Sequence, residues 1–183
     1  MSTLFEKYRA LGIDGSCIGL EYSGRNYEPD WCYPKNAVPI GYENSILYCF
    51  IKGYGETVFA ANPESCVDIN VYPIARSFED FLGLILACGS ANPPEQAIWM
   101  TRGQFEEHVK NTLEDTFPNE REAVLKRIRE ELGVAPISDP YDYVKSVQKD
   151  FDYNKIKFRK ERNQKVQFEE VRTVIVTRNK KDK

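Results

Sequence analysis

Residues 45–89 read SILYCFIKGYGETVFAANPESCVDINVYPIARSFEDFLGLILACG, and the rest of the chain must pack around them. In residues 45–51, Ile46, Tyr48 and Phe50 fall on one alternate face and Leu47, Cys49 and Ile51 on the other. A strand that is apolar on both faces belongs inside a sheet covered on both sides. Lys52-Gly53-Tyr54-Gly55-Glu56 supplies glycines where a reversing chain needs positive φ, and residues 57–60 return as a second strand. Val67, Ile69 and Val71 alternate with Asp68, Asn70 and Tyr72, which predicts a half-buried strand over residues 66–72.

A helix follows. Ser77 is placed to cap the amides of its first turn, and Asp80 puts a negative charge at the positive helix end. Phe78, Phe81, Leu82 and Ile85 share one helical face, which must lie on the sheet. Gly89 ends the helix as a left-handed cap would.

The junction Val71-Tyr72-Pro73-Ile74-Ala75-Arg76-Ser77-Phe78-Glu79-Asp80-Phe81-Leu82 resembles the strand-to-helix junction of the SUKH superfamily. That superfamily groups fungal cell-wall-synthesis regulators of the Smi/Knr type with bacterial immunity proteins against polymorphic toxins. The resemblance is clearest over residues 39–109. It departs at the N-terminus, where only a short helix precedes the first strand and no Asn-Gly pair occurs. The resemblance implies an α+β fold, SUKH-like, that acts by occupying a protein partner, a basic toxin such as a nuclease in the immunity case.

Outside this stretch, Ser2 is placed to cap a short helix over residues 4–11, and residues 17–22 read as a strand. Residues 37–42 suggest an edge strand interrupted by Pro39. The expected sheet is mainly antiparallel, with about five or six strands packed on helices. Asn92-Pro93-Pro94 reads as a linker and residues 96–100 as a short strand. Thr101-Arg102-Gly103-Gln104 is a capping box opening a helix to Pro118, and Asn119 caps a second helix ended by Gly133. Asp139-Pro140 starts a third. Residues 156–159 and 168–177 look like strands around a charged segment.

Composition points to one domain over residues 1–154 with a basic strand or tail segment over residues 155–183. Residues 1–100 carry a net charge of −6, residues 101–154 a net of −4, and residues 155–183 a net of +7. No run approaches the ~18 apolar residues of a membrane helix, and the charged N-terminus lacks an apolar signal core. The expectation is a cytoplasmic protein with no membrane partner. The five cysteines are an odd number without paired spacing, which predicts reduced thiols, most of them buried. With His108 the sole histidine, neither a metal site nor a cofactor is expected.

Chemistry is sparse. Gly53-Tyr54-Gly55 lacks the setting of a phosphate loop, and Ser77 lacks the glycine frame of a nucleophile elbow. His108 lies in the polar helical stretch Glu106-Glu107-His108 and reads as a solvated histidine. Eight of the eleven tyrosines fall in the first 72 residues. Trp31, Tyr33, Tyr42 and Tyr54 sit in expected turns or edges beside Asp30, Glu43 and Glu56. Aromatic rings are enriched at interfaces, and acidic neighbours suit a basic partner. One reading has these rings cap the core with their hydroxyls in water; the other makes these seven residues the partner-binding set of a non-enzymatic domain. The alternatives are a thiol-dependent enzyme and a nucleic-acid-associated protein using the basic tail, which the acidic body disfavours.

Overall fold

Ile46–Ile51 (β2) is an inner strand, as its two apolar faces require. In the computed structural model, which describes residues 2–22, 31–114, 118–149 and 151–158, it pairs antiparallel with Ala37–Glu43 (β1) on one side and Val58–Ala61 (β3) on the other. Val71–Ala75 (β4) completes a four-stranded sheet in the order β1-β2-β3-β4. The β2–β3 hairpin turns through Gly53 and Gly55, both at positive φ. Alternation then sorts the side chains. Tyr48, Val58, Ala60, Tyr72 and Ile74 enter the main core, while Leu47, Cys49, Ile51, Phe59, Ala61 and Val71 enter a second core on the opposite face.

Among the described residues the sheet has four strands where about five or six were expected. Residues 16–18 form a 3-10 turn closed by the left-handed Gly19, leaving Glu21 to make a single bridge with Tyr42. Strand β4 begins five residues later than the alternation in residues 66–72 predicts. Upstream of it, the chain is held by local bonds instead of a ladder. The Asn62 amide donates to the Asn70 carbonyl (2.8 Å), Asn70 Nδ2 to the Asn62 carbonyl (2.9 Å), and the Glu64 amide to Asn62 Oδ1 (2.8 Å). Side-chain-to-backbone bonds of this kind compete with strand pairing. Of residues 96–100, Gln96 ends a short helix and residues 97–99 form a turn. Of the C-terminal strands, residues 156–158 make one bridge, Pro34 with Phe158, and residues 168–177 lie outside the described residues.

Helix Leu4–Ala10 (α1) is capped by Thr3 rather than Ser2. The Thr3 hydroxyl accepts from the Glu6 amide and the Glu6 carboxylate accepts from the Thr3 amide. Phe78–Cys88 (α2) has the expected cap, the Asp80 amide donating to Ser77 Oγ at 3.0 Å, and ends at Gly89 with φ 80. Phe78, Phe81, Leu82 and Ile85 are all buried on the sheet. Asn92–Gln96 (α3) is a helix, not a linker, because its prolines occupy the first turn, where their missing N–H groups have no intrahelical partner to lose. Arg102–Glu114 (α4) opens with the Thr101–Gln104 capping box, and Pro118–Leu132 (α5) and Pro140–Lys149 (α6) follow. Helix α6 packs along β4, with Gln148 Nε2 donating to the Pro73 carbonyl at 3.3 Å.

Candidate functional site

The four aromatic residues expected at an interface converge on one face of the sheet. Trp31, Tyr33, Tyr42 and Tyr54 all belong to the second core, although 23 positions separate the first from the last. Two thin segments cover that face, one from Trp31 onward and one after α6. They meet where the Lys35 amide donates to the Lys157 carbonyl at 2.9 Å. Phe151 and Phe158 arrive on the second segment. The Tyr54 ring packs edge-on to Phe59 at 5.3 Å and tilted on Phe151 at 5.8 Å.

The rings differ in how far they reach the surface. Tyr33 is 5% exposed and Tyr42 8%, so these two are core residues and not the surface rings the sequence suggested. Tyr33 anchors its segment by donating from its hydroxyl to the Ser45 carbonyl at 2.8 Å. Trp31, Tyr54, Phe151 and Phe158 are half-buried and form the accessible part of the face. Of the expected acidic residues, Glu56 is exposed in the β2–β3 turn, Asp30 lies outside the described residues, and Glu43 turns to the opposite side of the sheet. The covering segments carry Lys35, Lys155 and Lys157 beside Asp152, so the rim is of mixed charge.

Glu43 belongs to a buried polar network that sequence reasoning missed. Its Oε2 accepts from the Tyr48 hydroxyl (3.0 Å) and from Asn92 Nδ2 (3.3 Å), and burial pushes its carboxyl up. Asn92 Oδ1 in turn meets His108 Nε2 at 2.8 Å and accepts from Gln96 Nε2 at 2.8 Å. His108 is thus half-buried and engaged, not solvated, and burial lowers its pKa. One turn along α3, Glu95 is 0% exposed; its Oε1 accepts from Asn62 Nδ2 (2.7 Å) and from the Tyr72 hydroxyl. Its other oxygen, Oε2, is buried with no hydrogen-bond partner, the one such side-chain atom among the described residues. The Pro93-Pro94-Glu95 triplet, a helix start with an acid in its first turn, was the available signal.

A cavity of about 480 Å³ lies between residues 12–17 and α5, lined by Ile13, Asp14, Cys17, Glu120, Val124 and Arg127 among others. Cys17 lines this concavity, and burial raises its pKa, as it does for Cys49 and Cys88. A nucleophilic thiol needs the opposite shift. Cys32, Cys49 and Cys88 are buried, Cys66 is exposed, and none of the five is in a disulfide. Among the described residues no cluster of three His, Cys, Asp or Glu side chains is placed to hold a metal ion. No described helix is long and apolar enough to cross a membrane.

Comparison with family models, with curated proteins and with solved structures returns no match to this chain.

Proposed function

We propose that this chain is a non-enzymatic, SUKH-type protein-binding domain that acts as an immunity or regulatory protein by occupying a partner's surface. The contact centres on the half-buried rings Trp31 and Tyr54. One observation supports this most: aromatic residues distant in sequence gather on one sheet face, which two thin segments cover among the described residues. Such rings, part-seated and rigid, are what interface hot spots are made of, because they shed water over a large area at little entropic cost. Exposed Glu56 adds an acid at the edge of this face, and the family resemblance points to a basic partner such as a toxin nuclease.

The test uses the full chain and the proteins encoded by the genes flanking its own. Tagged parent chain is mixed with each purified product, and binding kinetics are measured for any that associates. Trp31→Ala or Tyr54→Ala should speed dissociation by an amount equivalent to about 2 kcal/mol or more. Neutralising Glu56 should slow association and reduce its salt dependence. Parent-like kinetics in both ring variants, with near-UV circular dichroism showing them folded, would place the interface elsewhere.

A further inference from the structure

The buried network around α3 contains a carboxyl group with no use for its negative charge. We propose that Glu95 is held as the neutral, protonated acid in the folded domain, where it clips α3 onto the strand ends, and that its ionisation loosens this clip. The inference is independent of the binding function.

Geometry carries it. Glu95 is completely buried, and Oε1 takes both available donors while Oε2 has none. A carboxylate normally needs several donors or a cation to survive burial. Among the described residues the neighbours supply neither. From β1 comes Glu43, a second acid that raises the proton affinity of Glu95 further, and from β2 the Tyr48 hydroxyl, already donating to Glu43. From β4 comes Tyr72 and from the β3 end Asn62, the two donors already counted. The only titratable side chain that α2 buries is Cys88. Helix α4 brings His108, which is engaged with Asn92, and α6 brings Lys145, whose ammonium donates to the Ile98 carbonyl at 3.0 Å. Consistent with this environment, burial pushes Glu95 from 4.5 up to about 7, the two hydrogen bonds opposing it only in part.

The connections of α3 show what would loosen. Asn92 ties this helix to the end of β1 through Glu43 and to α4 through His108, while Glu95 ties it to the end of β3 and to β4. A group whose folded pKa lies above its unfolded value holds more protons in the folded state. The stability it contributes is therefore complete below the unfolded value and is lost as pH rises through the folded one. For Glu95 that window runs from 4.5 to about 7. Glu43, also raised, adds the same sign, whereas His108, lowered, gives the opposite slope.

The decisive comparison is parent against Glu95→Gln, which keeps the shape and the Oε1 acceptor but cannot ionise. Urea unfolding of both full-length proteins at pH 5 and pH 8 removes the contributions common to the two. The unfolding constant of the parent should rise roughly 100-fold more over that interval than that of the variant. Isotope-edited infrared spectroscopy of the folded parent with labelled glutamate should show a protonated carboxyl stretch at pH 6, absent in Glu95→Gln. If the variant does not fold, the absence of this stretch from the folded parent still refutes the proposal. Identical pH profiles for the two proteins, or a folded parent at pH 6 with every glutamate ionised, would overturn the proposal.

Discussion

Gly83→Ala should destabilise the protein, although it removes a glycine from the middle of a helix. In an open helix interior this substitution gains about 1 kcal/mol. Here a Cβ on residue 83 would lie 2.9 Å from the Ala135 carbonyl oxygen and 3.2 Å from Ile137 Cγ1. The first obstacle is backbone and cannot swing aside. The segment that carries it is also tied to the helix, the Ile137 amide donating to the Gly83 carbonyl at 3.1 Å, and Val134 just before it is buried. Overpacking of this kind costs about 1–3 kcal/mol, and a fixed backbone partner puts the cost near the upper end. The net is a loss of about 2 kcal/mol after the helical gain. Gly103→Ala is the control, since nothing lies within 4 Å of a Cβ there. It should leave stability unchanged or raise it by up to about 1 kcal/mol. Urea melts followed by far-UV circular dichroism read both, and the Gly83→Ala midpoint should fall by about 1 M at an ordinary m-value of about 2 kcal/mol/M. If Gly83→Ala stabilises as much as Gly103→Ala, residues 134–137 do not pack on α2 as described.

Two further outcomes follow from α2 and from the thiols. Ser77→Ala removes the acceptor of the Asp80 amide and should cost about 1 kcal/mol. Phe81→Ala empties a fully buried site beside Tyr48 and should cost about 3–5 kcal/mol, so equal effects in the same melts would contradict the packing of this helix. Under native conditions a thiol reagent should label Cys66 quickly and Cys32, Cys49 and Cys88 slowly, with mass spectrometry counting the sites. Rapid labelling of all five would mean the second core is open.

The parts of the fold that were legible in the sequence are those fixed by local chemistry. Strand β2 declares itself because both of its faces are apolar, and α2 because Ser77 and Gly89 bracket a clean apolar stripe. Where a periodic pattern competed with local hydrogen bonding, the pattern misled. Val67 and Ile69 alternate like strand residues, yet the Asn62–Asn70 bonds close a loop instead. Non-local contacts were not legible. Nothing near Tyr33 indicates that residues 151–158 will lie beside it, so the burial of Tyr33 could not be foreseen. Grouping Trp31, Tyr33, Tyr42 and Tyr54 was possible from composition alone, but which of them reach the surface depends on that distant segment. Glu95 was hidden because a Pro-Pro pair suggests a linker unless it is read as a helix start.

The most direct measurement of the binding proposal is an amide hydrogen-exchange footprint of the full chain with its captured partner protein. Protection on binding should concentrate in residues 31–36, the turn at 52–57 and residues 151–158, the parts that frame Trp31 and Tyr54. Protection confined to α4 and α5, with these three segments exchanging as in the free protein, would contradict the assignment of the aromatic sheet face as the interface.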